Sequence, residues 1–437
     1  MKKFLALLLS LVMVLALVAC GDKKDDTNTD DQDNNEVTDF KVGFIMLHDE
    51  NSTYDLNFIN AAKEACETLG VEYTIVTNVP EGQECYDKAA ELADAGCNII
   101  FADSFGHEDY MIQAAKDFPD VQFCHSTGTK AHTEGLANYH NAFASIYEGR
   151  YLAGIAAGMK LNEMIANGEF TADEAKIGYV GAFTYAEVIS GYTSFFLGAR
   201  SVCPTATMEV TFTGSWYDET AEKEGAEKLI QNGCVLISQH ADSMGAPTAC
   251  EKAGVPNVSY NGSTVSVGPN TYIISSRIDW APYYVYAIQA VIDGKSIDAD
   301  WTGTLATKSV VLSDLNTNVA ADGTQAAIDE AMKKLENGEL HVFDVSTFTV
   351  TGENVTADMK TDAEGHLTSY MADVDNDANM EHDTDVVHDG YFAESEKRSA
   401  PYFDIAIDGI VRLDVNFDHF LYESTTRRKI EDDTQKK

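Results

Sequence analysis

The residues best suited to bind a small molecule are aromatic and polar side chains in loops that follow predicted β-strands. Tyr54, Phe105 and Trp216 lie in three of these loops, and a fourth contains Phe183 and Tyr185. Aromatic side chains at strand ends form flat slots for planar rings, and each such contact adds about 0.5–1.5 kcal/mol beyond area burial. These residues therefore indicate binding of a planar ligand. The loops in question are residues 48–55, 102–107, 181–187, 213–218, 239–243 and 261–263.

Catalytic motifs are missing from the sequence. It contains no Gly-x-Ser-x-Gly, no His-Glu-x-x-His and no Walker phosphate-binding loop. Residues 373–385 begin like a calcium loop, but Ala378 and Thr384 replace the glycine and the bidentate glutamate that an EF-hand needs. This acidic segment is either a weak cation site or a solvated loop. We predict a protein that is not an enzyme, with no cofactor and no bound metal.

The cysteines do not indicate a disulfide framework. Of the eight in the chain, Cys20 belongs to the N-terminal segment discussed below, which leaves an odd number. None has the C-x-x-C spacing of zinc or redox sites, and most lie in apolar surroundings. We predict buried, unreactive thiols.

Short apolar segments alternate with segments of helical periodicity along most of the chain. This alternation predicts parallel sheets covered on both faces. Because the pattern occurs twice, we predict an α/β fold with two doubly wound parallel-sheet lobes and an interlobe cleft, closed by a hinge. The predicted strands are 41–47, 71–77, 98–101 and 121–124, then 176–180, 209–213, 235–238 and 257–260.

The predicted lobes divide the chain at three places. We assign 40–141 plus 272–345 to the N-terminal lobe and 142–271 to the C-terminal lobe. Residues 346–437 form an acidic C-terminal extension, and strands predicted at 341–350 and 410–414, on either side of the acidic segment 373–385, would add an edge to the fold. No function is predicted for this extension.

The first twenty residues have the pattern of an export signal. Lys2 and Lys3 precede an apolar run, and Leu17 to Cys20 resembles a bacterial lipobox, which implies cleavage before Cys20 and a diacylglycerol on its thiol. The alternatives are a plain secretory signal or a membrane anchor, for which the apolar run is short. We predict a signal peptide at 1–20 and a flexible acidic linker at 21–39. The protein would be lipid-anchored on the extracytoplasmic face of the cell membrane, in an envelope of one or two membranes.

The charge of the chain excludes one class of partner. Its 30 Lys and Arg against 71 Asp and Glu give a formal net charge of −41. Binding to nucleic acid depends on Lys and Arg neutralising phosphates. We therefore predict no nucleic-acid partner.

Several motifs resemble one family of lipoproteins. They include Tyr-Leu-Ala-Gly at 151–154, Gly-Tyr-Val-Gly-Ala-Phe at 178–183, Leu-Gly-Ala-Arg-Ser at 197–201 and Ser-Trp-Tyr-Asp at 215–218. From about residue 41 to about residue 345, the chain resembles the basic-membrane-protein family, the purine-nucleoside-receptor-like substrate-binding proteins of ABC transporters. The resemblance implies a type I periplasmic-binding-protein-like fold and partnership with ABC permease and ATPase subunits. It also implies a purine nucleoside or purine base held between aromatic planes.

The same resemblance assigns aromatic site residues. Tyr54 takes the place of the first-lobe aromatic that stacks on the base, with the polar Asp55 beside it. Phe105 takes a place in the cleft loop of the same lobe, and Trp216 that of the second-lobe aromatic that closes the sandwich. Trp280 is also assigned to the site. Packing roles are the alternatives, at the start of a helix for Tyr54, over the sheet for Phe105 and in the core for Trp280.

Polar site residues are assigned in the same way. Asp242 and Glu187 are the carboxylates expected to accept from ring N–H groups, although acids at helix starts are also favoured by the helix dipole. Asn261 and Ser263 stand where nucleoside-binding relatives have an acidic pair that grips the ribose, and they are otherwise ordinary turn residues. This departure makes a free base at least as good a candidate as a nucleoside.

Two other functions share these features. A surface sensor for a small planar solute would have the same cleft and would signal to a membrane partner instead of feeding a permease. A nucleoside hydrolase is disfavoured, because the loops contain neither a metal cluster nor an activated nucleophile.

Overall fold

The computed structural model describes residues 40–374 and 383–413. The predicted signal peptide, Cys20, the acidic linker, most of segment 373–385 and the chain after residue 413 lie outside the described residues. In the part that is described, no helix is long and apolar enough to span a membrane.

The first lobe is built on a six-stranded sheet whose neighbouring strands are all parallel. Except at its two edges, its strands are buried on both faces, as expected for a sheet with helices on each side. The chain forms β1 (Lys41–Ile45), α1 (Thr53–Leu69), β2 (Glu72–Val76), α2 (Gln83–Asp94), β3 (Ile99–Ala102), α3 (Glu108–Asp117), β4 (Gln122–Ser126), α4 (Ala131–Glu134) and β5 (Tyr139–Ala144).

The second lobe repeats this plan on a seven-stranded sheet. The chain enters this lobe through the long helix Ile146–Ala166 and leaves it after the strand Tyr272–Ile278. Its elements are α5 (Ile146–Ala166), β6 (Lys176–Gly181), α6 (Ala186–Val202), β7 (Thr207–Phe212), α7 (Glu219–Gln231), β8 (Leu236–Gln239), α8 (Gly245–Ala253), β9 (Asn257–Tyr260) and β10 (Tyr272–Ile278).

The chain then returns to both lobes. Helix α9 (Ala281–Ile292) packs on α1, and β11 (Asp300–Gly303) pairs with β5 at the edge of the first sheet. Strand β12 (Val310–Leu312) pairs antiparallel with β10 in the second sheet, and α10 (Thr324–Glu336) packs on α5. The order of strands is β11-β5-β4-β3-β1-β2 in the first sheet and β12-β10-β9-β8-β6-β7 in the second, where a strand of the C-terminal extension, Ile410–Arg412, lies beside β7.

The two-lobed parallel fold is confirmed, but the strands do not follow the predicted lobe boundaries. Residues 142–144 belong to β5 of the first sheet, whereas β10 and β12 belong to the second sheet and not to the N-terminal lobe. The reason is pairing. Strand β10 extends the second sheet by pairing parallel with β9, so the chain crosses over after residue 278 and not before residue 272.

The C-terminal extension adds small strands and one edge strand. They are β13 (Met359–Thr361), β14 (Leu367–Ala372), β15 (Thr384–Asp385), β16 (Val387–His388), β17 (Tyr391–Phe392) and β18 (Ile410–Arg412). Strand β18 pairs in parallel with β7.

The strand predicted at residues 341–350 is wrong. A 3-10 turn occupies Val345–Thr347, because the Asp344 carboxylate accepts a hydrogen bond from the backbone N of Ser346 at 2.9 Å. The apolar character of this segment instead reflects burial of Phe343, whose ring centroid lies 4.2 Å from that of Phe403.

Two glycines from the recognised motifs allow helices α5 and α6 to pack closely. A Cβ on Gly154 would lie 2.0 Å from the backbone O of Phe195, and one on Gly198 would lie 2.0 Å from the backbone O of Tyr151. Both distances are far below van der Waals contact. These glycines therefore fix the spacing between the two helices.

Candidate ligand-binding cleft

A cavity lies between the carboxyl ends of the two sheets, and the space between its walls, part of which is open to solvent, amounts to about 360 Å³. We call it the cleft cavity. This is the position where open α/β sheets bind ligands. Loops that follow strands of both lobes line it, with Leu47, His48, Tyr54, Ser104, Phe105 and Thr127 from the first lobe and Glu187, Trp216, His240, Asp242, Tyr260 and Asn261 from the second.

The first-lobe wall is fixed by the start of helix α1. Ser52 caps this helix, since its side chain accepts a hydrogen bond from the backbone N of Asp55. Tyr54, two residues later, donates from its hydroxyl to the backbone O of Asp103 at 2.7 Å. The cap and this bond together hold the Tyr54 ring at the cavity wall.

Two buried carboxyl groups support this wall from behind. The Asp55 carboxylate accepts from the backbone N of His48 at 2.7 Å and lies 3.3 Å from its ring Nδ1. Burial raises the pKa of Asp55, but hydrogen bonds from His48 and Ser52 outweigh it, so the pKa lies below its usual value. Burial and the neighbouring Asp55 raise the pKa of Asp103 well above its usual range. These opposite shifts favour an ionised Asp55, which orients His48, and a protonated Asp103.

Aromatic rings form a continuous group on the second-lobe side. The Trp216 ring centroid lies 5.0 Å from that of Phe183 and 5.9 Å from that of Tyr185. Tyr185 in turn lies 4.9 Å from Phe105 of the first lobe. This arrangement gives the cavity flat apolar walls contributed by both lobes.

Polar groups of the second lobe provide hydrogen-bonding edges. Asp242 is 4% exposed, and its Oδ1 accepts from Nδ2 of Asn261 at 2.9 Å. Burial, followed by the charges of Glu222 and Asp55, raises the pKa of Asp242 well above its usual range. A neutral carboxyl of this kind both donates and accepts hydrogen bonds.

A histidine and a carboxylate form the second polar edge. Oε1 of Glu187 lies 3.6 Å from Nε2 of His240. Burial lowers the pKa of His240, and the interaction with Glu187 only partly opposes this effect. His240 is therefore a neutral ring close to a carboxylate at the cavity wall.

Direct hydrogen bonds join the lobes beside the cavity. Thr53 of α1 donates to the backbone O of Asp242 from its backbone N at 3.1 Å and from its Oγ1 at 3.0 Å. Nδ2 of Asn57 donates to the backbone O of Asn261 at 2.9 Å. Asn261 has a φ of 64°, in the left-handed region. The cleft is thus closed, and the start of α1 contacts the loops that carry Asp242 and Asn261.

Most of the site residues predicted from the sequence line this cavity, but three do not. Asp55 is 1% exposed and lies behind His48. Ser263 is exposed to solvent and stands near the hydroxyl of Tyr272. Trp280 is 1% exposed and stacks on Phe58 at 4.5 Å in the core. The six that line it are Tyr54, Phe105, Glu187, Trp216, Asp242 and Asn261.

Sequence reasoning missed half of the lining residues. Those that follow β1, β3, β8 and β9 stood within or beside the predicted loops and could have been found from their position after a strand. Thr127 had no such signal, because the strand before it was predicted to end at residue 124 and actually ends at 126. The missed residues are Leu47, His48, Ser104, Thr127, His240 and Tyr260.

A buried arginine supports the second-lobe wall and was also missed. The guanidinium of Arg150 donates to the backbone O of Ser259 at 3.1 Å and to Oγ of Ser238 at 2.8 Å. It also lies 5.1 Å from the ring centroid of Tyr260, a cation–π contact. Arg150 therefore ties two strand ends together behind the cavity.

Across residues 40–374 and 383–413, no group of three or more His, Cys, Asp or Glu side chains is placed to hold a metal ion. The cavity walls combine aromatic planes with carboxyl, amide and imidazole groups, which is the composition of a binding site for a small ring-containing molecule.

Comparisons with known proteins point to one family. A sequence model described as "ABC transporter substrate-binding protein PnrA-like", of the Bmp family, matches residues 43–342. The chain is 34% identical over 310 residues to a purine-binding protein of Brucella abortus (strain 2308), covering 69% of this chain and 83% of that protein. It is 32% identical over 309 residues to a putative ABC transporter glucose-binding protein of Haloferax volcanii, covering 70% and 72%.

Solved structures share the fold. A solute-binding protein of an ABC transporter system from Aeropyrum pernix K1 superposes with a TM-score of 0.59 at 18% identity. The match covers 72% of this chain and 94% of that one.

Proposed function

The chain belongs to the Bmp family of PnrA-like ABC transporter substrate-binding proteins, and we propose that it binds a purine base or purine nucleoside in the cleft cavity. The observation that carries this proposal is the combination, in one cavity, of aromatic rings from both lobes with the buried carboxyl of Asp242. Phe105 and Trp216 supply apolar planes, and Asp242 with Asn261 supplies groups that pair with ring nitrogens. The purine-binding relative from Brucella supports the same ligand class.

Binding is coupled to closure in this proposal. The ligand enters between separated lobes, and closure brings Thr53 and Asn57 onto the loops of Asp242 and Asn261. Those bonds stabilise the closed form only, and ligand contacts to both lobes add to them. The closed form then docks on permease subunits, and the ATPase subunit of the transporter supplies the energy for import.

Attachment to the membrane is the second part of the proposal. We propose that Cys20 carries a diacylglycerol that holds the protein at the extracytoplasmic face of the membrane, since the lipobox-like sequence Leu17–Cys20 precedes it. Cys20→Ser should abolish metabolic labelling of the protein with a radioactive fatty acid. Cys97→Ser, which alters a buried thiol, should leave the labelling unchanged. Labelling that survives Cys20→Ser would contradict the anchor.

Identification of the natural ligand tests the proposed function. The protein is purified without denaturation, and the bound molecule is extracted and identified by mass spectrometry. We expect a purine base or purine nucleoside in amounts close to that of the protein. The same extraction from Trp216→Ala serves as the control and should yield much less. Recovery of glucose or another sugar would contradict the proposal and favour the activity named for the Haloferax relative.

A further inference from the structure

A second cavity adjoins the cleft cavity and is closed on one side by the C-terminal extension. The space between its walls amounts to about 340 Å³, part of which is open to solvent, and the two cavities share Phe105, Thr127 and Glu187 in their walls. The extension contributes Arg398, Ala400 and Pro401 to it, beyond residue 342 where the match to the family ends. We call this space the Arg398 compartment.

Arg398 lines this compartment and has an unused donor. It is 6% exposed. Its Nε donates to the backbone O of Ala400 at 3.1 Å, and its Nη2 donates to the backbone O of Pro401 at 2.8 Å. These two bonds fix the plane of the guanidinium. Within the described residues, nothing accepts a hydrogen bond from its buried Nη1. A buried N–H without an acceptor is unfavourable, so this donor fits an acceptor on a bound molecule.

Thr127 presents a second unused group. It is 3% exposed, and no acceptor or donor in the described part of the chain pairs with its Oγ1. Its φ is 72°, which is strained for a β-branched residue, and its backbone N is held by the O of Ala142 at 3.0 Å. Strain that is held in place by neighbouring bonds is common where a side chain must face a ligand.

The charges of the walls restrict what the compartment can bind. Arg398 donates, but Glu187 lines the same space and accepts. A phosphate or carboxylate would satisfy Arg398 and be repelled by Glu187. A hydroxyl group satisfies both, because it accepts from Nη1 and donates to a carboxylate. The walls therefore suit a neutral group with several hydroxyls.

The extension is fixed to both lobes, which holds Arg398 in place. The backbone N of Ser399 donates to Oδ1 of Asp300, at the start of β11 in the first lobe, at 3.0 Å. Further along, β18 pairs with β7 in the second lobe. Arg398 thus reaches the compartment from a segment anchored on each side of the cleft.

We propose that the Arg398 compartment is a second subsite, in which Arg398 and Thr127 bind a hydroxyl-bearing, sugar-like substituent of a ligand whose ring occupies the cleft cavity. This rests on the proposed function. It makes the extension a determinant of specificity, because it distinguishes a substituted ring from the ring alone.

Calorimetric titration of the whole protein with adenine, adenosine and adenosine 5′-monophosphate tests this subsite. We expect adenosine to bind at least about tenfold more tightly than adenine, and the monophosphate more weakly than adenosine. Arg398→Gln should weaken the binding of adenosine at least about tenfold and change the affinity for adenine by less than about threefold. Ala400→Leu, which fills the compartment, should have the same selective effect.

Lys397→Gln is the matched control, because it removes one positive charge from the neighbouring position, where the side chain pairs with Glu396 on the surface. It should change the affinity for neither ligand. Thermal unfolding should verify that each variant folds. If Arg398→Gln and Ala400→Leu weaken the binding of adenine and of adenosine equally, or weaken the binding of neither ligand, the proposed subsite is wrong while the proposed function stands. If neither adenine nor adenosine binds the unaltered protein, the subsite and the proposed purine ligand are both wrong.

Discussion

At the scale of single residues, position after a strand was the informative signal. Tyr54, Phe105 and Trp216 stand in loops that follow predicted strands, where aromatic side chains form slots for planar rings, and all three line the cavity. Trp280 carried no such signal. It stands at the start of an apolar helix, and only the packing of that helix on α1 shows that it faces the core. The burial of Asp55 likewise depends on the path of the chain at His48.

Trp216 is expected to contribute most of the stacking contact. Trp216→Ala removes a ring that is packed against Phe183 and Tyr185, and should raise the Kd for adenosine at least about tenfold. Trp216→Phe keeps an aromatic plane and should raise it by less than about fivefold. Calorimetric titration measures both. A Kd for Trp216→Ala within about threefold of the original would contradict the stacking role.

The protonation state of Asp242 can be tested by two substitutions. Because burial raises the pKa of this carboxyl well above its usual range, we expect a neutral acid that both donates and accepts. Asp242→Asn keeps one donor and one acceptor and should change the Kd for adenosine by less than about threefold. Asp242→Ala removes both and should raise it at least about tenfold. Equal losses for the two variants would indicate an ionised carboxylate instead.

Glu394 is expected to make stability depend on pH. Burial raises its pKa from 4.5 to about 8. Above pH 4.5 the unfolded chain has lost this proton while the folded protein keeps it up to about pH 8, so the free energy of unfolding should fall as the pH rises. Burial lowers the pKa of His107 from 6.5 to about 4, so this group makes the free energy of unfolding rise with pH, but only below about pH 6.5. The fall should therefore be visible between about pH 7 and 8.

Denaturant unfolding across this pH interval measures the effect. Glu394→Gln should make the fall in unfolding free energy smaller, because the amide does not titrate. The exposed Glu339 provides a control, and Glu339→Gln should leave the pH dependence unchanged. A pH dependence that is the same in Glu394→Gln as in the original protein would show that Glu394 is not protonated in the folded state.

At the scale of elements, the local sequence pattern predicted which helices and strands exist. It predicted less well which sheet each strand joins. Strands such as β3 and β8 are short apolar runs that follow a glycine turn, and such runs are recognisable from sequence alone. The sheet that a strand joins depends on distant partners. Strand β10 therefore joined the second sheet against prediction, and the apolar segment around Phe343 formed a turn in place of a strand.

The close packing of α5 on α6 gives a prediction at this scale. Gly154→Ala places a Cβ against the backbone O of Phe195 and should lower the free energy of unfolding by at least about 2 kcal/mol. Gly225→Ala, in helix α7, places a Cβ 3.3 Å from a methyl group of Thr211 and 3.6 Å from one of Val180, and should change the free energy of unfolding by less than about 1 kcal/mol. Chemical denaturation measures both. Equal effects would mean that the two helices can separate without loss.

At the scale of the whole molecule, the cavity exists only because two lobes meet. Its walls come from both sheets, and the lobes are joined beside it through Thr53 and Asn57. The sequence predicted the two-lobed architecture and the place of the cleft from repeated strand–helix alternation. It did not predict that the extension reaches the cleft, because the position of Arg398 depends on its anchorage at Asp300 and on the pairing of β18.

Thermal unfolding against a ligand panel tests the central claim, a purine ligand between the lobes, most directly. The protein is first freed of bound ligand by unfolding and refolding, and then heated with purine bases, purine nucleosides, pyrimidines, sugars or amino acids. A ligand at about 100 times its Kd adds about 2.7 kcal/mol to the free energy of unfolding, which shifts the Tm by a few degrees. We predict that purines raise the Tm and that sugars and amino acids do not. A rise with glucose and none with any purine would contradict the claim.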